Sequence, residues 1–67
     1  MDDRWEILKP VERQVAWLIS KGMSDIAIAE RMGIPENSAK HYARFVRTAL
    51  GCKTRTEVAL WVHLHIT

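Results

Sequence analysis

The residues best suited to do chemistry in this chain are cations. Lys40, Arg44, Arg47, Lys53 and Arg55 fall between Asn37 and Thr56, a stretch without a single acidic residue. The other five basic residues face all eight acids, so a local charge of +5 sits beside a remainder of −3. Guanidinium and ammonium groups gathered in this way hold phosphates, and arginine can also pair with both acceptors of a guanine edge. Asn37, Ser38, His41 and Thr48 lie in the same stretch and add amide, hydroxyl and imidazole groups that can reach bases or phosphates. A bland alternative is a solvated helix face. Such a face usually mixes signs for pairing at i,i+4, and this one does not. A surface for a polyanion, double-stranded DNA above all, is the expectation.

Other reactive groups are too scattered to form a site. His63 and His65 are two residues apart, which on a helix turns them about 200° from each other, so they are not a metal pair. Cys52 is the single cysteine. It excludes an internal disulfide or a multi-cysteine zinc site, favours a reducing cytoplasmic setting, and reads as a small core hydrophobe. Asp2-Asp3 is expected in a frayed terminus. No glycine-rich phosphate loop and no nucleophile with a plausible base is present. Neither an enzyme, nor a cofactor, nor a metal is expected. No apolar run approaches the ~20 residues needed to span a bilayer, and the acidic start Met1-Asp2-Asp3-Arg4 is unlike a signal peptide.

The elements that must position the cations are helices. With 67 residues the chain is one small domain, short of core and inclined to lean on a second subunit. Pro10, Gly22, Gly33 to Pro35 and Gly51 punctuate it, and between them apolar residues recur at three and four. A first helix is expected over about 10–20, burying Val11, Val15, Leu18 and Ile19. A second begins after the cap Ser24 and runs to Met32, with Ile28, Ala29 and Met32 inward. The third spans about 35–50 and buries Ala39, Ala43, Val46 and Leu50. The fourth opens on a capping box, Thr54 to Glu57, and runs to about His65. Four helices with short loops and no strand make an all-α fold, with residues 1–7 a short extension and 8–67 the domain.

Only Gly33, Ile34 and Pro35 separate the second helix from the third. So short a turn forces a sharp crossing, as in a helix-turn-helix unit whose second helix lies in the major groove; a plain helical hairpin is the alternative. Opposite the buried stripe, the third helix offers Asn37, Lys40, His41, Arg44, Arg47 and Thr48. The two alanines let it sit close to its neighbours, so that its polar side stands out as a ridge. The fourth helix, Val58 to Ile66, is apolar nearly all round, and its outer side is expected to meet an identical chain. Val58, Trp61, Val62 and His65 are the candidate dimer residues.

Residues 8 to 60 resemble the LuxR-type (GerE-like) helix-turn-helix domain of bacterial transcription regulators. The matching residues are Leu8, Pro10, Glu12-Arg13, Val15, Leu18-Ile19, Gly22, Ser24, Ile28-Ala29, Gly33-Ile34, Lys40, Leu50-Gly51 and Arg55-Thr56-Glu57. The resemblance implies a four-helix domain that binds DNA as a dimer, reads the major groove with the third helix and pairs subunits through the fourth. It implies that Lys40 faces DNA, that His41 and Arg44 point at bases, that Ser38 meets a phosphate and that Arg55 lies near the backbone. Arg47 and Lys53 are expected on the backbone as well.

The departures from the family pattern carry expectations of their own. About seven residues precede the match, so the expectation is of a freestanding domain without a sensor in the same polypeptide, regulated by abundance, dimerisation or a partner. Ile26 and Ala27 stand where the family has a lysine and a glutamate, which removes a capping carboxylate worth about 1 kcal/mol. Tyr42 replaces a common histidine, and Lys9 a threonine or serine cap. Trp17, Ile26 and Phe45 are apolar where the family is polar and form a candidate protein-partner patch. The alternative function is therefore a small antagonist that binds a full-length transcription regulator or an RNA polymerase subunit.

Overall fold

The computed structural model describes residues 3–66. Among them every regular element is a helix: α1 (Asp3–Ile7), α2 (Pro10–Ser20), α3 (Asp25–Met32), α4 (Glu36–Ala49) and α5 (Arg55–His65). The last four match the four expected from sequence to within a residue at each end. The first is additional: Asp3, expected in a frayed end, opens a helix, while Asp2 lies outside the described residues.

Local chemistry accounts for the boundaries. Pro10 starts α2, where its missing N–H costs nothing. The Lys9 N–H donates to the Glu12 carboxylate at 2.7 Å, so the glutamate supplies a cap where the lysine side chain cannot. Ser24 caps α3 by accepting from the Ala27 N–H at 3.2 Å. Gly33 stops α3 at φ 68°, a left-handed conformation that costs other residues more, and Ile34 returns its N–H to the Ala29 carbonyl. Thr54 accepts from the Glu57 N–H at 3.1 Å as expected, but the Glu57 carboxylate takes the N–H of Lys53, at 2.9 Å, one residue ahead of the cap.

α2 is the central strut, packed against α5 on one flank and α4 on the other, while α3 packs on α4. Leu8 and Val15, Ala16, Leu18 and Ile19 of α2 join Ile28, Ala29, Ala39, Ala43, Val46, Leu50, Val58, Trp61 and Val62 in one core; Met32 packs half-buried against it, and Val11, expected inward, is only half-buried.

Five residues are too few for a helix to persist unaided, so α1 exists by attachment. Arg13 donates to the carbonyls of Trp5 (3.0 Å), which also accepts from the Leu8 N–H, and Glu6 (3.2 Å), and so ties the end of α1 to α2. Arg4 donates to the Leu50 carbonyl at 3.1 Å, and the Trp5 ring stacks on Trp61 with centroids 6.0 Å apart. This attachment changes the reading of α5. Val58 and Val62 are fully buried and Trp61 is 7% exposed, so three of the four residues expected at a subunit interface lie in the domain's own core. His65, the fourth, is exposed but stacks on Trp61 at 4.4 Å. Beyond the four expected helices, α1 adds cover to α5 at one point, the Trp5 ring on Trp61. The apolar residues that α5 leaves outside are Leu60, 57% exposed, and Leu64, 71% exposed.

Candidate nucleic-acid interface

The core fixes which way α4 faces. With Ala39, Ala43, Val46 and Leu50 buried, Asn37, Lys40, His41, Arg44 and Thr48 are exposed, and Ser38 and Arg47 are half-buried at the flanks. Ala39 is fully buried and Ala43 nearly so, which brings the α4 backbone close to its neighbours and leaves the opposite side prominent. Lys40, Arg44 and Arg47 meet Arg55 of α5 around a cleft of about 240 Å³ that Ile19, Asp25, Ala43 and Val58 also line. A shallower hollow of about 290 Å³ is bounded by Asn37, Lys40, His41 and Arg44. The structure thus gathers onto one surface the cations that the sequence only placed in one stretch. Lys53 is exposed in the loop before α5.

These cations are not equally free. Among the described residues Arg44, Arg47 and Lys53 have no ion-pair partner. The ammonium of Lys40 lies 3.2 Å from the Glu36 carboxylate one turn earlier; both side chains are roughly half exposed, so the pair is worth only about 0.2–0.5 kcal/mol and yields readily to a phosphate. Glu36 lies one residue before the acid-free stretch and so outside the charge pattern that singles out these cations.

Arg55 differs. Its guanidinium donates to the Asp25 carboxylate and to the Met23 carbonyl, each at 2.6 Å. These bonds tie the start of α5 to the turn into α3, while the side chain keeps 39% exposure on the cleft it shares with Lys40, Arg44 and Arg47. Sequence offered no sign of this, because Asp25 and Arg55 are thirty residues apart.

Trp17, Ile26 and Phe45 are all exposed, as the partner-patch reading requires, but they belong to α2, α3 and α4 respectively. Lys21 sits over the Trp17 ring with its ammonium 4.6 Å from the centroid. Cys52 is half-buried; burial first, then the Glu57 charge, push its thiol up from 9.0 against an opposing pull from Arg4. No three potential metal ligands come together, and no helix is long and apolar enough to cross a membrane, among the described residues.

A helix with a cationic outer face, joined by three residues to a buttressing helix beneath it, defines a helix-turn-helix domain. The chain belongs to the luxR family of bacterial regulatory proteins, whose model matches residues 6–62. It is 36% identical over 56 residues to the nitrate/nitrite response regulator protein NarL of Escherichia coli, an overlap of 84% of this chain and 26% of that protein. It is 40% identical over 53 residues to the two-component response regulator PprB of Pseudomonas aeruginosa, covering 79% of this chain and 19% of that protein. The chain therefore spans about a quarter or less of the length of these curated relatives. No solved structure matches it.

Proposed function

We propose that this chain is a sequence-specific DNA-binding transcription regulator that lays α4 in the major groove of a duplex. The observation that carries the reading is the outward face of α4, where Arg44 and Arg47 stand without ion-pair partners beside Lys40, around a cationic cleft. Family membership supports it, and so do the names of the two relatives, both response regulators. In this reading Arg44 and Lys40 take guanine edges or phosphates, His41 and Asn37 take base edges, and Ser38, Arg47, Thr48 and Lys53 take the backbone. We further propose a homodimer about a two-fold axis, in which Leu60 and Leu64, one turn apart on α5, replace the buried Val58, Trp61 and Val62 as the contact.

The test is a mobility-shift assay on genomic fragments at two salt concentrations. Arg44→Ala should cost about 1–3 kcal/mol of specific binding and relax preference at one position, whereas Lys53→Ala should weaken all sequences alike and flatten the salt slope by about 0.9. Unchanged affinity and preference in Arg44→Ala would remove the recognition face. A second reading has its own observation: Ile26, Leu60 and Leu64 are large, apolar and more than half exposed. As an antagonist of another transcription regulator, the protein would lose activity with Ile26→Asp or Leu64→Asp while tolerating loss of Lys40 and Arg44.

A further inference from the structure

We propose that Phe45 reads the 5-methyl group of a thymine, making it a specificity-determining residue of the α4 face; the inference rests on the DNA-binding reading above. Asn37, His41 and Phe45 are spaced by four along α4, so they form one row on its outer side, about 12 Å long. The first two end in polar groups able to bond base edges. The third ends in a phenyl ring. Phe45 is 42% exposed, whereas its helix neighbours Tyr42 and Ala49 are partly buried against the core. An apolar ring left so open on a polar row works against solubility.

The surroundings decide what such a ring can meet. Phe45 continues the row of Asn37 and His41 and has Arg44 beside it about 100° round the helix, while Lys40 and Arg47 project toward the other flank. A partner fitting this place would offer an apolar group next to hydrogen-bonding edges for His41 and Asn37, with an anion within reach of Arg44 on one side. The major groove offers that combination wherever a thymine occurs: the methyl is the one apolar group displayed there, and phosphates flank it on both sides. Trp17 and Ile26 lie on other helices and share neither the row nor the cations, which separates Phe45 from the patch in which sequence alone had placed it.

The experiment selects duplexes from a randomised library with the wild-type protein. Each thymine of the tightest duplex is then replaced singly by uracil, which removes the methyl and nothing else. At one or two positions the wild-type protein should lose about fourfold in affinity, the worth of one buried methyl-sized group. With Phe45→Ala the thymine-to-uracil ratio at those positions should fall to about one, while the position governed by Arg44 keeps its preference. Ratios compared at a temperature where thermal melts show both proteins folded separate lost readout from lost stability. The proposal is overturned if the selected site holds no thymine, or if every thymine gives the same ratio in both proteins. A wild-type protein that enriches no sequence at all overturns the DNA reading with it; a strong consensus that Phe45→Ala leaves intact overturns this inference alone.

Discussion

Removing the Arg55 guanidinium asks whether this cation serves the fold or the interface, and the structure gives numbers for both. It makes two hydrogen bonds of 2.6 Å, to the Asp25 carboxylate and to the Met23 carbonyl. In shelter a charge-assisted bond is worth about 1.5–3 kcal/mol, but the Arg55 side chain keeps 39% and Asp25 keeps 26% of its exposure. Solvent screening therefore brings the pair to about 1 kcal/mol, and the carbonyl bond adds about 1 more. Arg55→Ala should cost about 2 kcal/mol. In a domain of this size each kcal/mol moves the melting temperature by about 4–8 °C, so the loss is roughly 8–16 °C. Asp25→Ala should cost about 1–2 kcal/mol, because its charge also favours the start of α3. The double variant should show about 1 kcal/mol of coupling in a cycle of thermal melts followed by circular dichroism. The same proteins, titrated with duplex DNA at several salt concentrations, should separate the roles: Arg47→Ala flattens the slope by about 0.9, and Arg55→Ala by much less. If Arg55→Ala melts within about 2 °C of wild type and loses a full phosphate's worth of slope, the clamp is not what Arg55 is for.

Trp5→Ala should lower stability by about 2 kcal/mol, from the lost stack on Trp61 and the lost half-burial of the ring, and should shift Trp61 emission to the red. Trp17→Ala is the control for the emission shift: Trp61 stacks on Trp5, and an equal red shift of Trp61 without Trp17 would discredit the role given to α1. Glu36→Gln should leave the melting temperature almost unchanged yet raise affinity for unrelated duplexes several-fold at low salt, since it releases Lys40. An unaltered non-specific affinity would show that the pair does not restrain Lys40. The raised Cys52 value means that the fold disfavours the thiolate, so this contribution to stability is complete below 9.0 and fades as pH climbs through the higher folded value. Alkylation of the native protein at pH near 8 should accordingly run slower than in urea; equal rates would contradict the burial.

Much of the site was legible because it depends on one helix. The spacing of Ala39, Ala43, Val46 and Leu50 fixes which side of α4 is buried, and the absence of acids from Asn37 onward fixes the charge of the other side. What sequence left undetermined lies where a side chain's partner is distant along the chain. Arg55 carries no local mark distinguishing it from Lys53, which remains exposed, and only the approach of Asp25 commits one and frees the other. Glu36 sits just outside the stretch, yet its four-residue spacing from Lys40 already marks the pair in sequence.

The sequence by itself determined four helices, their caps, the three-residue turn and the orientation of α4, since all of these follow from interactions within about four residues along the chain. Tertiary structure alone decided that Asp3–Ile7 is a helix, that Trp61 lies under it and that α5 turns Leu60 and Leu64 outward. The physical reason is length: five residues cannot hold helical hydrogen bonds in water, so α1 depends on Arg13, on the Leu50 carbonyl and on an indole fifty-six residues away.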